Sequence, residues 1–167
     1  MSASADARSR KPISPHSPIA RPEETLMAED CAVHKLIADV ALFAGDRVLL
    51  VKYRDVQRYD GQRGWFLPDD YLRFAEHPEE AAKRIAREQA GIDVDRVRLA
   101  RIESFADGAW HMTFHYRAAV KRARDVAPAG NVASAEWFKL TRLPDADAVA
   151  HHGWALETLK AMRLGVR

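Results

Sequence analysis

Residues 67–92 read LPDDYLRFAEHPEEAAKRIAREQAGI. This stretch begins as a loop and continues as a helix of about three and a half turns. Pro78 suits the first position of a helix, and Glu79 and Glu80 suit the positive end of the helix dipole. Gly91 stands where many helices end in a left-handed residue. The pattern therefore predicts a capped helix between Pro78 and Gly91.

The spacing of residues in this stretch resembles the Nudix box. That pattern is Gly, five residues, Glu, seven residues, then Arg-Glu-apolar-any-Glu-Glu-any-Gly-apolar. The positions that match are Glu76, Arg84, Glu88, Gly91 and Ile92. The positions that depart are Asp70 for the leading glycine, Ile85 for the glutamate after the arginine, and Gln89 for the second glutamate of the late pair. The chain thus keeps the spacing of the Nudix box but replaces its leading glycine and two of its glutamates.

The resemblance implies a metal-dependent hydrolase of nucleoside diphosphates linked to another group. In such a box, carboxylates on one helix face bind Mg²⁺ or Mn²⁺, because residues three and four apart lie together and Mg²⁺ prefers oxygen ligands. Here that face reads Ile85, Glu88 and Gln89, so only Glu88 offers a charged oxygen. We predict Glu88 and Gln89 as the metal ligands. The resemblance assigns catalytic roles to Glu88, Arg84 and Glu76.

The same helix has a second interpretation, in which it serves packing. A stripe of small, apolar and amide side chains follows from about 100° of rotation per residue; its members are Ala81, Ala82, Ile85, Ala86 and Gln89. Ile85 would then extend the core-facing side into the metal face. Arg84 has Glu80 four residues before it and Glu88 four residues after it, so it could form a surface pair on either side. The resemblance implies instead that this arginine pairs with a carboxylate to hold the loop to the helix, and Glu76 could be that partner or an outer metal contact.

Asp69 and Asp70 stand where the family usually has two glycines, on what we predict to be a loop before the helix. Asp tolerates the left-handed conformation better than most residues, so the loop shape could persist. Their carboxylates could also replace charge lost at positions 85 and 89. By resemblance we predict substrate contacts from Arg54, Trp65, Asp69 and Asp70.

The remaining segments complete an α+β pattern. Predicted strands cover residues 35–43, 47–53, 65–67, 97–105, 110–120 and 133–140, and a closing helix covers residues 151–164. In the fifth strand Met112, Phe114 and Tyr116 alternate with His111, Thr113 and His115, which gives one apolar and one polar face. The order implies a Nudix-like α/β/α sandwich, with a mixed β-sheet between helices.

Length and composition bound the class of protein. The chain has 167 residues, 47% of them hydrophobic and 30% charged, which is typical of one globular domain. We predict a disordered tail at residues 1–30 and a single Nudix-like domain at residues 31–167. A net charge of +2 does not indicate nucleic acid, and we expect no membrane partner. The single Cys31 cannot form an internal disulfide, which favours the cytoplasm.

Two classes of function follow. The first is a hydrolase weakened or rewired by the loss of two of three box carboxylates, with Mg²⁺ or Mn²⁺ as its cofactor. The second is a non-catalytic Nudix domain that binds a nucleotide-like ligand or a protein, with no cofactor. The expected partner is a small molecule of the nucleoside-diphosphate type, and a homodimer is possible.

Overall fold

The computed structural model describes residues 34–106, 108–127 and 129–164. The tail predicted at residues 1–30 lies outside these ranges. The elements in chain order are β1 (His34–Ala44), β2 (Arg47–Tyr53), β3 (Asp69–Tyr71), α1 (Pro78–Ala90), β4 (Arg98–Ala106), β5 (Trp110–Ala119), β6 (Val132–Lys139) and α2 (Ala150–Leu164). The predicted order of strands and helices is confirmed.

The strands form one mixed six-stranded sheet. Its order is β4-β5-β1-β2-β6, and β3 pairs with β1 beside this path. Only the β1–β5 pair is parallel among the described ladders. Strand β1 is therefore central, which agrees with its nearly continuous apolar sequence.

The two helices cover opposite faces of the sheet. Val40 and Leu42 of β1 pack with Ile85 of α1 in one core cluster. Ala41, which points the other way from β1, packs with Leu159 of α2 in a second cluster. The predicted α/β/α sandwich is confirmed. Neither helix in the described ranges is long and apolar enough to cross a membrane.

The ends of α1 follow the predicted capping pattern. Pro78 is the first helical residue, and the His77 side chain accepts a hydrogen bond from the Glu79 amide. At the other end Gly91 adopts φ 60°, and its amide donates to the Arg87 carbonyl. Since a left-handed φ costs glycine little, the helix ends there without strain.

The segment before α1 differs from the prediction. Residues 65–67 form only isolated bridges, from Phe66 to Val51 and from Trp65 to Val149. The regular strand is β3, so the prediction of a loop at Asp69 and Asp70 is wrong. Proline has no amide hydrogen, and pairing with β1 starts where the Pro68 carbonyl accepts from Val40. Asp69 then lies opposite Asp39.

Candidate functional site

Arg84 is the centre of an ion-pair network that joins α1 to the preceding segment. Its side chain is 5% exposed. It binds Glu76 through two parallel contacts, Nε to Oε1 at 2.7 Å and Nη2 to Oε2 at 2.9 Å. The remaining donors reach the Tyr71 carbonyl at 3.0 Å, Asp70 Oδ2 at 3.2 Å and Glu88 Oε2 at 3.3 Å. All five N–H groups of the guanidinium are therefore used.

This network fixes the shape of the box. Glu76 also accepts from the Arg73 amide at 2.8 Å, which closes the turn before α1. The hydrogen bonds from Arg84, with its charge, lower the pKa of Glu76, so this carboxylate stays ionised. Paired, charge-assisted bonds of this kind set both the position and the orientation of a carboxylate. The structure thus places Arg84 and Glu76 as the clamp between loop and helix, whereas Glu80 bonds to Lys83 instead.

The one box carboxylate on the predicted metal face is shared between two arginines. Glu88 accepts from Arg73 at 3.0 Å through Oε1 and from Arg84 at 3.3 Å through Oε2. Asp70 is shared in the same way, by Arg58 at 2.8 Å and Arg84 at 3.2 Å. Each carboxylate therefore has its charge offset by side chains that a metal ion would have to displace or share.

Gln89 takes part in a second, buried cluster. Its amide nitrogen donates to the Asp69 carbonyl at 2.7 Å. Because a carbonyl only accepts, this bond sets the amide orientation and turns Oε1 towards the Tyr53 hydroxyl, 2.9 Å away. The same hydroxyl lies 2.7 Å from Asp69 Oδ1 and accepts from the Asp69 amide at 3.0 Å. The only side-chain oxygen of Gln89 is thus directed at a phenol.

Asp69 completes this cluster best as a neutral acid. Tyr53 has one hydroxyl hydrogen, yet both Asp69 Oδ1 and Gln89 Oε1 lie within bonding distance. A protonated Asp69 can donate to Tyr53, which frees that hydrogen for Gln89, and each atom is then satisfied. Burial raises the pKa of Asp69 well above its usual range, and the hydrogen bond from Tyr53 opposes that shift without cancelling it. A neutral carboxyl is a poor ligand for Mg²⁺.

The residues of the box do not fit a Mg²⁺ or Mn²⁺ ion well. Ile85 is 0% exposed and packs in the core, so a carboxylate is missing where the family pattern has one. Gln89 is neutral, and Glu88 is held by two arginines. Within residues 34–106, 108–127 and 129–164, no group of three or more His, Cys, Asp or Glu is arranged to hold a metal.

Two predicted substrate residues have other surroundings. Arg54 is exposed and donates to the Gly130 carbonyl, next to the start of β6. Trp65 packs edge-on against Phe138, and Lys52 lies 4.5 Å above its ring. The structure brings Asp70, Glu76, Arg84 and Glu88 into one network; Asp69 and Gln89 form the second. The contacts that Arg54 and Trp65 make through their side chains belong to neither network.

A small pocket opens beside the box. It has a volume of about 410 Å³ and is lined by residues 34–36 and 71–76. Lys35 and Arg73 bring positive charge to it, and the ring of Phe74 is fully exposed. Cationic side chains bind phosphate, and an exposed aromatic ring can stack on a base. Lys35 and Arg73 therefore suit the phosphates of a nucleotide, and Phe74 suits its base.

Sequence reasoning missed a buried Asp–His pair on the other face of the sheet. His115 Nδ1 lies 2.6 Å from Asp39 Oδ2, and both residues are 0% exposed. Glu103 Oε2 lies 3.3 Å from His115 Nε2 and accepts from the Trp154 indole at 3.1 Å. Burial lowers the pKa of His115, but its bond to Asp39 and the two carboxylate charges outweigh this and raise it. The signal was a lone Asp within the apolar strand β1.

The NUDIX domain model matches residues 33–159, and the chain belongs to this family. No curated protein matches it by sequence.

Solved structures share the fold. A MutT NUDIX hydrolase from Burkholderia pseudomallei is 22% identical with a TM-score of 0.61, over 80% of this chain and 98% of that one. The NUDIX domain of Shewanella oneidensis NrtR, in complex with ADP ribose, is 17% identical with a TM-score of 0.67, over 89% and 100%.

A bifunctional NMN adenylyltransferase/ADP ribose pyrophosphatase from Francisella tularensis, with AMP and a manganese ion, is 14% identical with a TM-score of 0.60, over 81% and 44%. At such identities the likeness of all three establishes the fold alone.

Proposed function

We propose that this NUDIX domain binds a ligand of the nucleoside-diphosphate type and does not hydrolyse it efficiently. The observation that carries the proposal is the state of the predicted metal face. Ile85 is in the core, Gln89 is hydrogen-bonded to Tyr53 and Asp69, and Glu88 is paired with two arginines. Hydrolysis by the family's route needs carboxylates to hold the metal against the diphosphate.

The binding half of the proposal rests on the pocket beside the box. Arg73 is 63% exposed, so it can exchange its contact with Glu88 for a phosphate oxygen. Lys35 pairs with Asp60 at 2.8 Å and lines the same pocket. These two cations can meet the charge of a diphosphate without a metal ion, and Phe74 offers a stacking surface for a base. ADP-ribose is the first ligand to test, since a NUDIX domain of the same fold binds it.

The rewired-hydrolase alternative places a metal at Asp69 and Asp70. Asp69 is buried with a raised pKa, and Asp70 is paired with Arg58 and Arg84. A metal there would have to ionise the first carboxyl and detach the second from its arginines. These contacts favour the binding function over the rewired site.

The test is calorimetric titration of the protein with ADP-ribose, once in buffer with EDTA and once in buffer with Mg²⁺. Chromatography of the mixtures then measures any hydrolysis products. We expect binding in both buffers and a turnover far below about 1 s⁻¹, the lower end for ordinary enzymes. Arg73→Gln should weaken binding by about tenfold. Arg87→Gln is the matched control, because Arg87 is an exposed arginine of α1 that lies outside the pocket.

Three results would overturn the proposal. Turnover of about 1 s⁻¹ or faster with Mg²⁺ would show that the box still catalyses. Equal loss of ADP-ribose affinity in Arg73→Gln and Arg87→Gln would show that binding follows overall charge and not the pocket. Absence of binding in both buffers would remove ADP-ribose-like ligands from consideration.

A further inference from the structure

A larger concave surface, which we call the basic groove, lies at the other end of the central strands. It has a volume of about 1020 Å³ and is lined by Phe43 at the end of β1, residues 92–96 and Arg98, residues 117–122 and Arg124. Phe43 is four residues beyond Asp39, which is about 13 Å along a strand. The two clusters of the box contribute no side chain to this lining, which meets the box sequence only at Ile92.

The groove concentrates positive charge. Its lining includes six basic residues and two acidic ones, Asp93 and Asp95, for a net charge of +4. The whole chain has a net charge of only +2. A concave wall with one sign of charge focuses the field and attracts ligands of the opposite sign.

One of the six cations has a structural task. Arg124 donates to the Gly91 carbonyl at 2.8 Å, which offsets the negative end of α1. Among the residues that the structure describes, the other five, Arg96, Arg98, Arg117, Lys121 and Arg122, form no ion pair with a carboxylate. They are therefore available to a bound anion.

Arg98 and Arg117 lie directly opposite each other on β4 and β5. Like charges in that position destabilise an antiparallel pair, and an anion between them would reverse the effect. Arg47 and Lys139 oppose each other in the same way on β2 and β6, but they do not line the groove. Substitution of one pair or the other therefore distinguishes two effects on anion binding. One is the loss of any two opposed cations, and the other is the loss of cations that line the groove.

Beneath the charged rim the groove has an apolar floor. Ile92 is 4% exposed, and Phe43 and Val120 are half-buried beside it. Ligand sites commonly combine an apolar wall with a few polar groups that fix orientation. This floor leaves room for the organic part of a phosphorylated molecule, and a groove of this volume is of the size that small ligands occupy.

We propose that the basic groove is a second ligand site, which binds a small molecule bearing at least two phosphate groups. The opposed arginines contact one phosphate, and the cations that follow β5 contact the next. The site requires no metal and is independent of the box.

The test is calorimetric titration of the full chain with inorganic tripolyphosphate at about 150 mM salt, where weak surface attraction is largely screened. We expect binding that Arg98→Gln/Arg117→Gln weakens by tenfold or more. The matched control Arg47→Gln/Lys139→Gln removes an equally opposed pair and should bind like the parent. Tripolyphosphate should also raise the Tm of the parent and of the control, because it binds only the folded state, and should raise the Tm of the groove variant less.

Several outcomes would overturn the proposal. Equal losses in the groove variant and in the control would show attraction to net charge alone. A loss in Arg73→Gln, with the groove variant unaffected, would place the phosphates at the box. Absence of binding at this salt concentration would remove the site. Affinity for oligothymidylate that rises steeply with length and exceeds that for tripolyphosphate would indicate a nucleic-acid surface.

Discussion

Truncation of Ile85 tests whether the box helix has become a packing element. The side chain is 0% exposed and belongs to the core cluster of Val40, Leu42 and Tyr116. Ile85→Ala removes three carbons, which at about 0.8 kcal/mol each gives about 2.4 kcal/mol of lost transfer free energy. The cavity adds to this, and the higher helix propensity of alanine offsets a few tenths. We expect a loss of about 3 kcal/mol.

Urea unfolding followed by circular dichroism measures this loss, and the Tm should fall by roughly 10 °C. Ile85→Val should lose about 0.5–1.5 kcal/mol, as expected for one methyl group. The exposed Arg87→Ala on the same helix should stay within about 0.5 kcal/mol of the parent. If Ile85→Ala stays as close to the parent as Arg87→Ala, position 85 does not serve packing, and the reason given for its missing carboxylate fails.

Glu76→Gln should lower the unfolding free energy, measured in urea, by about 3 kcal/mol, because it removes the carboxylate charge that pairs with the buried Arg84. A loss under about 0.5 kcal/mol would contradict this. For Asp69, the pKa is higher in the folded than in the unfolded state, so the folded state binds more protons between the two values and stability falls as pH rises there. In thermal melts, the stability of Asp69→Asn relative to the parent should therefore increase as the pH rises from 5 to 8. A stability difference that stays constant over this range would refute a neutral Asp69 in the folded state. Ile85→Glu with Gln89→Glu should lower the Tm in EDTA, and millimolar Mg²⁺ should recover part of the loss; an unchanged Tm would show that carboxylates alone do not rebuild the site.

Local sequence determined the elements. The helix from Pro78 to Gly91 follows from residues that act within one turn of their own position, and its observed ends agree. All strands except β3 follow from apolar runs, and the burial of Ile85 follows from the stripe it shares with Ala81. Such features need no knowledge of distant residues, because backbone geometry and side-chain periodicity are local.

Tertiary structure decided the chemistry of the box. Sequence spacing allowed Arg84 to pair with Glu80 or Glu88, but its principal partner is Glu76, eight residues earlier. The loop turns back onto the helix to make that pair, and helix spacing alone cannot show it. The short strand β3 likewise depended on pairing with β1, which is distant in sequence.

The state of Gln89 and of Asp69 also depended on contacts between distant segments. Tyr53 is 36 residues from Gln89 and 16 from Asp69, yet its hydroxyl joins them. His115 and Asp39 are 76 residues apart and meet because β1 and β5 are neighbours. Sequence specified which groups were available. Only the fold decided which of these groups are buried, which are protonated and which are paired. Burial and distance set the free energies of ionisation and of pairing.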